Sequence, residues 1–225
     1  MNLFLVNEKK YRLFAKETLN TLERMMNRKA KTLLDVGCGG GFLVDLAIRN
    51  GYKAKGIESN VKVVMWARNQ GIPVQQGNIF APALDLGEKF DVIVLSSVLE
   101  HIDHPEELLL LYKNFLSEDG VVFISQANHD GLLPKILPWG WYGWQPKEHY
   151  WHFTINSLKK LVENAGYYSV AQRKYSLYHP WFFKGSILEL VGRNLSAIIA
   201  RISIFLKYED GFNMLIMKKK SHSNE

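Results

Sequence analysis

The chain has 225 residues, enough for one well-filled domain and too few for two full-sized ones. Apolar residues make up 47% and charged residues 22%, a globular balance that excludes a disordered or collagen-like chain. The formal charge of +6 raises the question of an anionic partner, and the single cysteine, Cys38, excludes an internal disulfide or a Cys-cluster metal site and fits a reducing, cytoplasmic setting.

Residues 8–29 read as a charged helix with an imperfect apolar stripe at Tyr11, Phe14, Leu19 and Leu22, and the apolar run at 3–6 is too short for a signal-peptide core. A buried strand is expected at 31–36, a helix at 39–49 closed by Asn50-Gly51, a strand at 53–58, a helix at 61–69 and a brief strand at 73–76. The almost wholly apolar run 90–95 predicts a strand covered on both faces. A helix at 105–116 begins on Pro105, and the next buried strand is expected at 120–125. This alternation predicts an α/β fold, a seven-stranded, mostly parallel sheet with helices on both faces.

After Asn128 the rhythm breaks. Residues 129–152 hold Trp139, Trp141, Trp144 and Trp151, four of the six tryptophans, and form a long irregular segment of the kind that usually serves function. A helix at 154–165, a strand at 167–175, an amphipathic helix at 187–205 and a last strand at 211–217 complete the chain. A single domain is expected: an N-terminal helix (1–30), a core (31–128), a Trp-rich lid (129–152) and a C-terminal half (153–225) with a helical cap at 184–207. The 187–205 stripe reads as a helix packed on its own domain, with peripheral membrane contact as the alternative; three charges within it rule out a span.

The chemistry is carried by LLDVGCGGGFL, residues 33–43: a buried strand, a turn with Gly37, Gly39 and Gly41 at alternate positions, then a helix. Such glycines let a ligand approach the main chain and the helix N-terminus. Glu58 ends the next strand, where a carboxylate can accept from both hydroxyls of a ribose. The dinucleotide fingerprint G-x-G-x-x-G would need glycine where Phe42 stands, and Asp35 suits a cationic ligand better than a pyrophosphate.

This pattern resembles the class I S-adenosylmethionine-dependent methyltransferases, whose first motif is similar to Asp35–Gly41, and the resemblance continues in order downstream over roughly 31–175, implying an antiparallel final strand at 211–217. It implies Glu58 as the ribose-binding acid and Asn78, in GNI at 77–79, as an adenine contact. FDVIVLSSVLEHIDHPEELLL (90–110) and LSEDGVVFISQAN (116–128) resemble the fourth and fifth strands, and HYWHFTINSLKKLVENAGY (149–167) the next helix in ubiquinone-type and sugar O-methyltransferases. The resemblance implies S-adenosylmethionine as cofactor, held by Asp35, Gly37, Cys38, Gly39, Gly41, Glu58, Ser59, Asn78, Ile79 and Ser96, and a small-molecule, quinone-lipid or sugar acceptor.

Deprotonating a hydroxyl acceptor calls for a base, and His101, His149 and His152 are the candidates. Trp139, Trp141, Trp144 and Trp151 are candidate acceptor contacts, their alternative being an ordinary small core. Some ubiquinone-type members carry a further glutamate where this chain has Ser97 and are thought to bind a divalent metal; Glu100 and His101 alone are too few donors, so no metal is expected.

The competing readings are a nicotinamide-dependent oxidoreductase, opposed by Phe42; a nucleic-acid N-methyltransferase, opposed by SSVLEH where an Asn/Asp-Pro-Pro-aromatic motif would stand; and a cofactor-binding module without catalysis. Residues 1–31 carry 8 basic and 3 acidic side chains, 211–225 carry 3 and 1, and the stretch between carries 17 and 18. The charge excess belongs to the ends. It supports no nucleic-acid partner and fits a solvated N-terminal helix and tail, or a surface meeting anionic lipid. Nothing in the sequence fixes the oligomeric state.

Overall fold

The computed structural model describes residues 8–26, 28–80, 86–136, 141, 143–175 and 209–219, together with 198, 201–202 and 204–206. Trp139 and most of the 184–207 cap lie outside the described residues.

Strand β1 (Thr32–Val36) lies between β2 (Lys53–Glu58) and β4 (Phe90–Ser96), parallel to both. β3 (Val74–Gln76) extends the sheet on one side; β5 (Leu116–Ala127), β7 (Gly211–Lys218) and β6 (Tyr167–Tyr175) extend it on the other. The order is β3-β2-β1-β4-β5-β7-β6, with β7 antiparallel to both neighbours, as the resemblance implies.

The two-residue period of a strand divides the central strands between two cores. Leu33, Val92, Val94, Val121 and Phe123 pack against α1 (Glu8–Met25), α2 (Phe42–Arg49) and α3 (Val61–Asn69). Leu34, Val36, Ile93, Leu95, Val122 and Ile124 pack instead against α4 (Pro105–Lys113) and α5 (Ile155–Asn164). Both sets are apolar because both faces are covered, which is why these runs show no polar alternation in the sequence. The crossover after β1 therefore lies on one face and that after β4 on the other. The chain diverges between the carboxyl ends of β1 and β4, and a crevice opens there.

Two boundaries and the burial of one helix differ from the sequence reading. α2 begins at Phe42, because Gly41 caps it in a left-handed conformation with φ +73°. α4 stops at Lys113, and Leu116 pairs with Phe90 at the start of a longer β5. α1 is not a solvated helix: Ala15, Thr18, Leu19 and Leu22 are buried, and Arg12 bridges to Asp45 of α2 at 3.0 Å.

A methyl group on Gly41 would lie 2.8 Å from Ile72 Cγ2 and 3.0 Å from Val74 Cγ2, in a backbone region L-residues disfavour. Gly41→Ala is expected to cost on the order of 2 kcal/mol. Differential scanning calorimetry should record a melting temperature lower by roughly 4–8 °C. Unchanged melting would show that the turn relaxes freely.

Candidate active site

The glycine turn is tied to β2. Cys38 N–H donates to Ile57 O at 3.0 Å, and Gly41 N–H closes the turn on Cys38 O at 3.0 Å. Glu58, at the end of β2, accepts from Gly39 N–H at 3.0 Å through Oε2 and from Asn60 N–H at 2.8 Å through Oε1. One carboxylate thus braces both the turn and the entry to α3. Gly37 has φ +69°, and a Cβ there would stand 3.0 Å from Val98 Cγ2 of the turn after β4. That turn is itself strained: Ser97, with φ 53°, is the one non-glycine residue with positive φ among the described residues.

A cavity of about 580 Å³ opens at these strand ends. Asp35, Gly37, Cys38, Gly39, Glu58, Ser96 and His101 line it, as the sequence reading expects, and Ser97, Ala127 and Tyr175 join them. A further wall is α1, through Lys10, Tyr11, Phe14, Ala15 and Thr18, which the sequence reading missed, and Glu148 of the Trp-rich segment also reaches it. Phe14, Thr18 and Tyr175 also line an adjoining cavity of about 360 Å³ that reaches Arg24, Arg173 and Asn213. A larger surface groove, about 880 Å³, runs along α1 and α2 but misses every strand end, so it is not the site.

Four of the residues expected to hold the cofactor stand outside. Ser59 Oγ donates to Glu58 Oε1 at 3.3 Å, Asn78 Oδ1 accepts from Phe80 N–H at 2.9 Å in a local turn, and Ile79 O accepts from Tyr112 Oη at 3.2 Å. Gly41 caps α2 behind the cavity.

The cavity carries two carboxylates, Asp35 and Glu58, with Lys10 of α1 in the same lining. Asp35 is 5% exposed, and burial, reinforced by the charge of Glu58, pushes its carboxyl up to about 8. Burial, with Asp35 and Glu58 adding to it, also drives the Cys38 thiol well above its usual range, so this cysteine is no nucleophile. Ser96 Oγ is buried without a hydrogen-bond partner.

The Trp-rich segment is laced to the turn after β4. Tyr150 N–H donates to Glu100 O at 2.8 Å, Trp151 Nε1–H to Ile102 O at 2.9 Å, and His101 Nδ1–H to Glu148 O at 2.9 Å. These bonds bring the His101 and His149 rings edge to face, 4.6 Å between centroids. His152 lies deeper, among Trp141, Trp144 and His129, and burial lowers its proton affinity. Trp141 is only 2% exposed; it is core for this segment, the bland alternative for these tryptophans. Trp144 and Trp151 are exposed and do not line the cavity.

Residues 6–172 match the methyltransferase-domain family. The chain belongs to that family. A ubiquinone biosynthesis O-methyltransferase of Cereibacter sphaeroides is 30% identical over 185 residues, 75% of this chain and 73% of that protein. The corresponding protein of Dinoroseobacter shibae is 32% identical over 152 residues, 61% of this chain and 60% of the relative. Among solved structures, a SAM-dependent methyltransferase from Archaeoglobus fulgidus superposes with a TM-score of 0.69 at 19% identity, covering 97% of this chain and all of that one. Magnesium protoporphyrin IX methyltransferase from Synechocystis, with bound SAH, gives a TM-score of 0.62 at 13% identity over 97% of this chain and 89% of that one. Both structural likenesses concern the fold. In this methyltransferase domain no helix among the described residues is long and apolar enough to cross a membrane.

The α1 wall could have been found from its sequence. Tyr11 and Phe14 lie three apart and Ala15 and Thr18 follow at helical spacing, one face that a solvated helix would not need. The sequence names His149 but not its approach to His101, which tertiary hydrogen bonds between the two segments create.

Proposed function

We propose that the cavity binds S-adenosylmethionine and that the domain methylates an oxygen of a small-molecule acceptor, a free hydroxyl compound, a quinone lipid or a sugar. The observation that carries this reading is the pair of carboxylates, Asp35 and Glu58, on either side of the glycine turn. Glu58 has the reach and charge to accept from two ribose hydroxyls, and its two oxygens already accept main-chain N–H groups beside the cavity. Asp35, buried and proton-hungry, matches a ligand that brings positive charge. Ser96 Oγ offers a polar contact that the protein itself leaves unmade.

When bound, the cofactor supplies a sulfonium methyl group: its C–S bond breaks as the acceptor's O–C bond forms, the hydroxyl proton departs and a neutral thioether remains. The chain's own part is to hold and align the reactants. Tyr11 and Phe14 of α1 roof the cavity and limit water. His101 is the one of the three candidate histidines that lines it. Its Nδ1 donates to Glu148 O, leaving the Nε2 lone pair for the acceptor side, with His149 behind it. His152 and Trp141 shape the segment. The relatives named as O-methyltransferases support oxygen as the atom methylated.

Isothermal titration calorimetry tests the cofactor. One equivalent of S-adenosylmethionine or S-adenosylhomocysteine is expected to bind, and NADH is not. Tight NADH binding with silence toward both adenosyl ligands would favour the oxidoreductase reading instead.

A further inference from the structure

Resting on the reading of the strand-end cavity as a methyl-transfer site, we propose that the adjoining cavity, between α1 and the sheet, is an anion subsite for the acceptor. Arg24 of α1 and Arg173 of β6 hold a carboxylate or phosphate on a hydroxyl compound whose other end passes Tyr175 toward the cofactor. The two cavities share Phe14, Thr18 and Tyr175 as walls, and at about 580 and 360 Å³ each is of ligand size.

The sheet face under α1 changes character at this point. Phe123, Leu215 and Ala171 lie side by side across β5, β7 and β6 and pack in the apolar core on that face. Two residues along each strand, on the same face, the row reads Ser125, Asn213 and Arg173. All three line the cavity. Asn213 and Thr18 are each 7% exposed, yet neither side chain makes a hydrogen bond among the described residues. A buried amide and a buried hydroxyl are costly to leave unpaired, and both supply donors to this one lining. A solvated surface arginine needs no such wall beside it; an oxyanion does, because its oxygens accept from every one of these groups.

The charges agree. Arg12, Arg28, Arg49 and Arg68 each donate to a carboxylate or main-chain oxygen of the protein. Arg24 and Arg173 form no hydrogen bond or ion pair among the described residues. The lining sets these two guanidiniums against one carboxylate, Glu17. The first cavity instead carries Asp35 and Glu58. An acidic acceptor is thus drawn to the second cavity and a cationic cofactor to the first, so the two reactants are sorted by charge into adjoining spaces.

Tyr175 stands where the cavities meet. Its Oη shares a hydrogen bond with Ser125 Oγ at 3.1 Å, and a side chain at Gly211 would overlap its ring. Glycine at 211 therefore lets the ring lie against β7 and fixes the wall between the two spaces. Of the acceptors proposed above, this subsite selects those that carry an acid group. A neutral quinone lipid leaves both guanidiniums unused.

Isothermal titration calorimetry on the full-length protein, with and without S-adenosylhomocysteine, tests the subsite with two matched pairs: mandelate against mandelamide, and glycerol phosphate against glycerol. In at least one pair the anion is expected to bind roughly tenfold or more tightly than its neutral partner. The pair with the larger advantage separates carboxylate from phosphate. Both arginines are exposed, so the advantage should shrink as salt is raised. Arg24→Gln and Arg173→Gln should each remove most of it, with circular dichroism unaltered, and Glu17→Gln should increase it. Anions that bind no better than their neutral partners, or an advantage equal in wild type and Arg173→Gln, would overturn the subsite while adenosyl binding stands. An arginine-dependent advantage in a protein silent toward S-adenosylhomocysteine and S-adenosylmethionine would overturn the proposed function and leave the subsite standing.

Discussion

Glu58→Ala is expected to weaken S-adenosylhomocysteine binding by roughly 30- to 1,000-fold, the equivalent of about 2–4 kcal/mol. Two charge-assisted hydrogen bonds to the ribose account for that range. The same carboxylate accepts from Gly39 N–H at 3.0 Å and Asn60 N–H at 2.8 Å, so the substitution also frees the glycine turn. A ligand contact and a brace are separable by Glu58→Gln. The amide keeps one acceptor oxygen and can still hold Gly39, but its NH₂ cannot accept from a second hydroxyl. Calorimetry should therefore place Glu58→Gln between wild type and Glu58→Ala in affinity, with a melting temperature near that of wild type. If both variants bind as wild type does, Glu58 is only a brace.

The sheet was legible because its central strands are short, apolar and separated by helices of ordinary length. Leu33, Leu34, Val92 and Ile93 would be inside any arrangement, and only their division between two cores needed coordinates. The glycine turn was legible too, since Gly37, Gly39, Gly41 and Glu58 are close in sequence and their roles follow from strand–turn–helix geometry. What sequence could not show is contact between distant segments. α1 looks like a charged surface helix because Lys9, Arg12, Lys16 and Arg24 dominate its composition, yet its other face closes the cavity. Asn78 is the reverse case: its place in the motif order suggests an adenine contact, while its Oδ1 accepts from Phe80 N–H in a local turn. An asparagine just after a strand serves a local turn as readily as a ligand.

Asp35→Asn is expected to do opposite things to affinity and stability. Burial and the neighbouring Glu58 raise the folded-state pKa of Asp35 from 3.8 to about 8. The folded protein therefore holds this proton across a window where the unfolded chain has released it. The stability that the protonated form confers is complete below the unfolded value and is lost as pH rises toward about 8. Asparagine cannot ionise, so the variant should lose that decline and melt several degrees above wild type near pH 8.

Ligand binding runs the other way. A cationic adenosyl ligand favours the carboxylate, so wild-type affinity for S-adenosylmethionine should climb as pH rises from 6 to 8, with a proton released on binding at pH 7. The sign is fixed by linkage: a ligand preferring the ionised form must lower the group's pKa and expel its proton. S-adenosylhomocysteine, without the sulfonium charge, should show a shallower climb. In Asp35→Asn the climb should flatten for both ligands, with an affinity loss largest at pH 8. Calorimetry in two buffers of different ionisation enthalpy measures the proton count directly. A wild-type affinity flat from pH 6 to 9, with no proton released, would mean that Asp35 does not meet the ligand's positive charge.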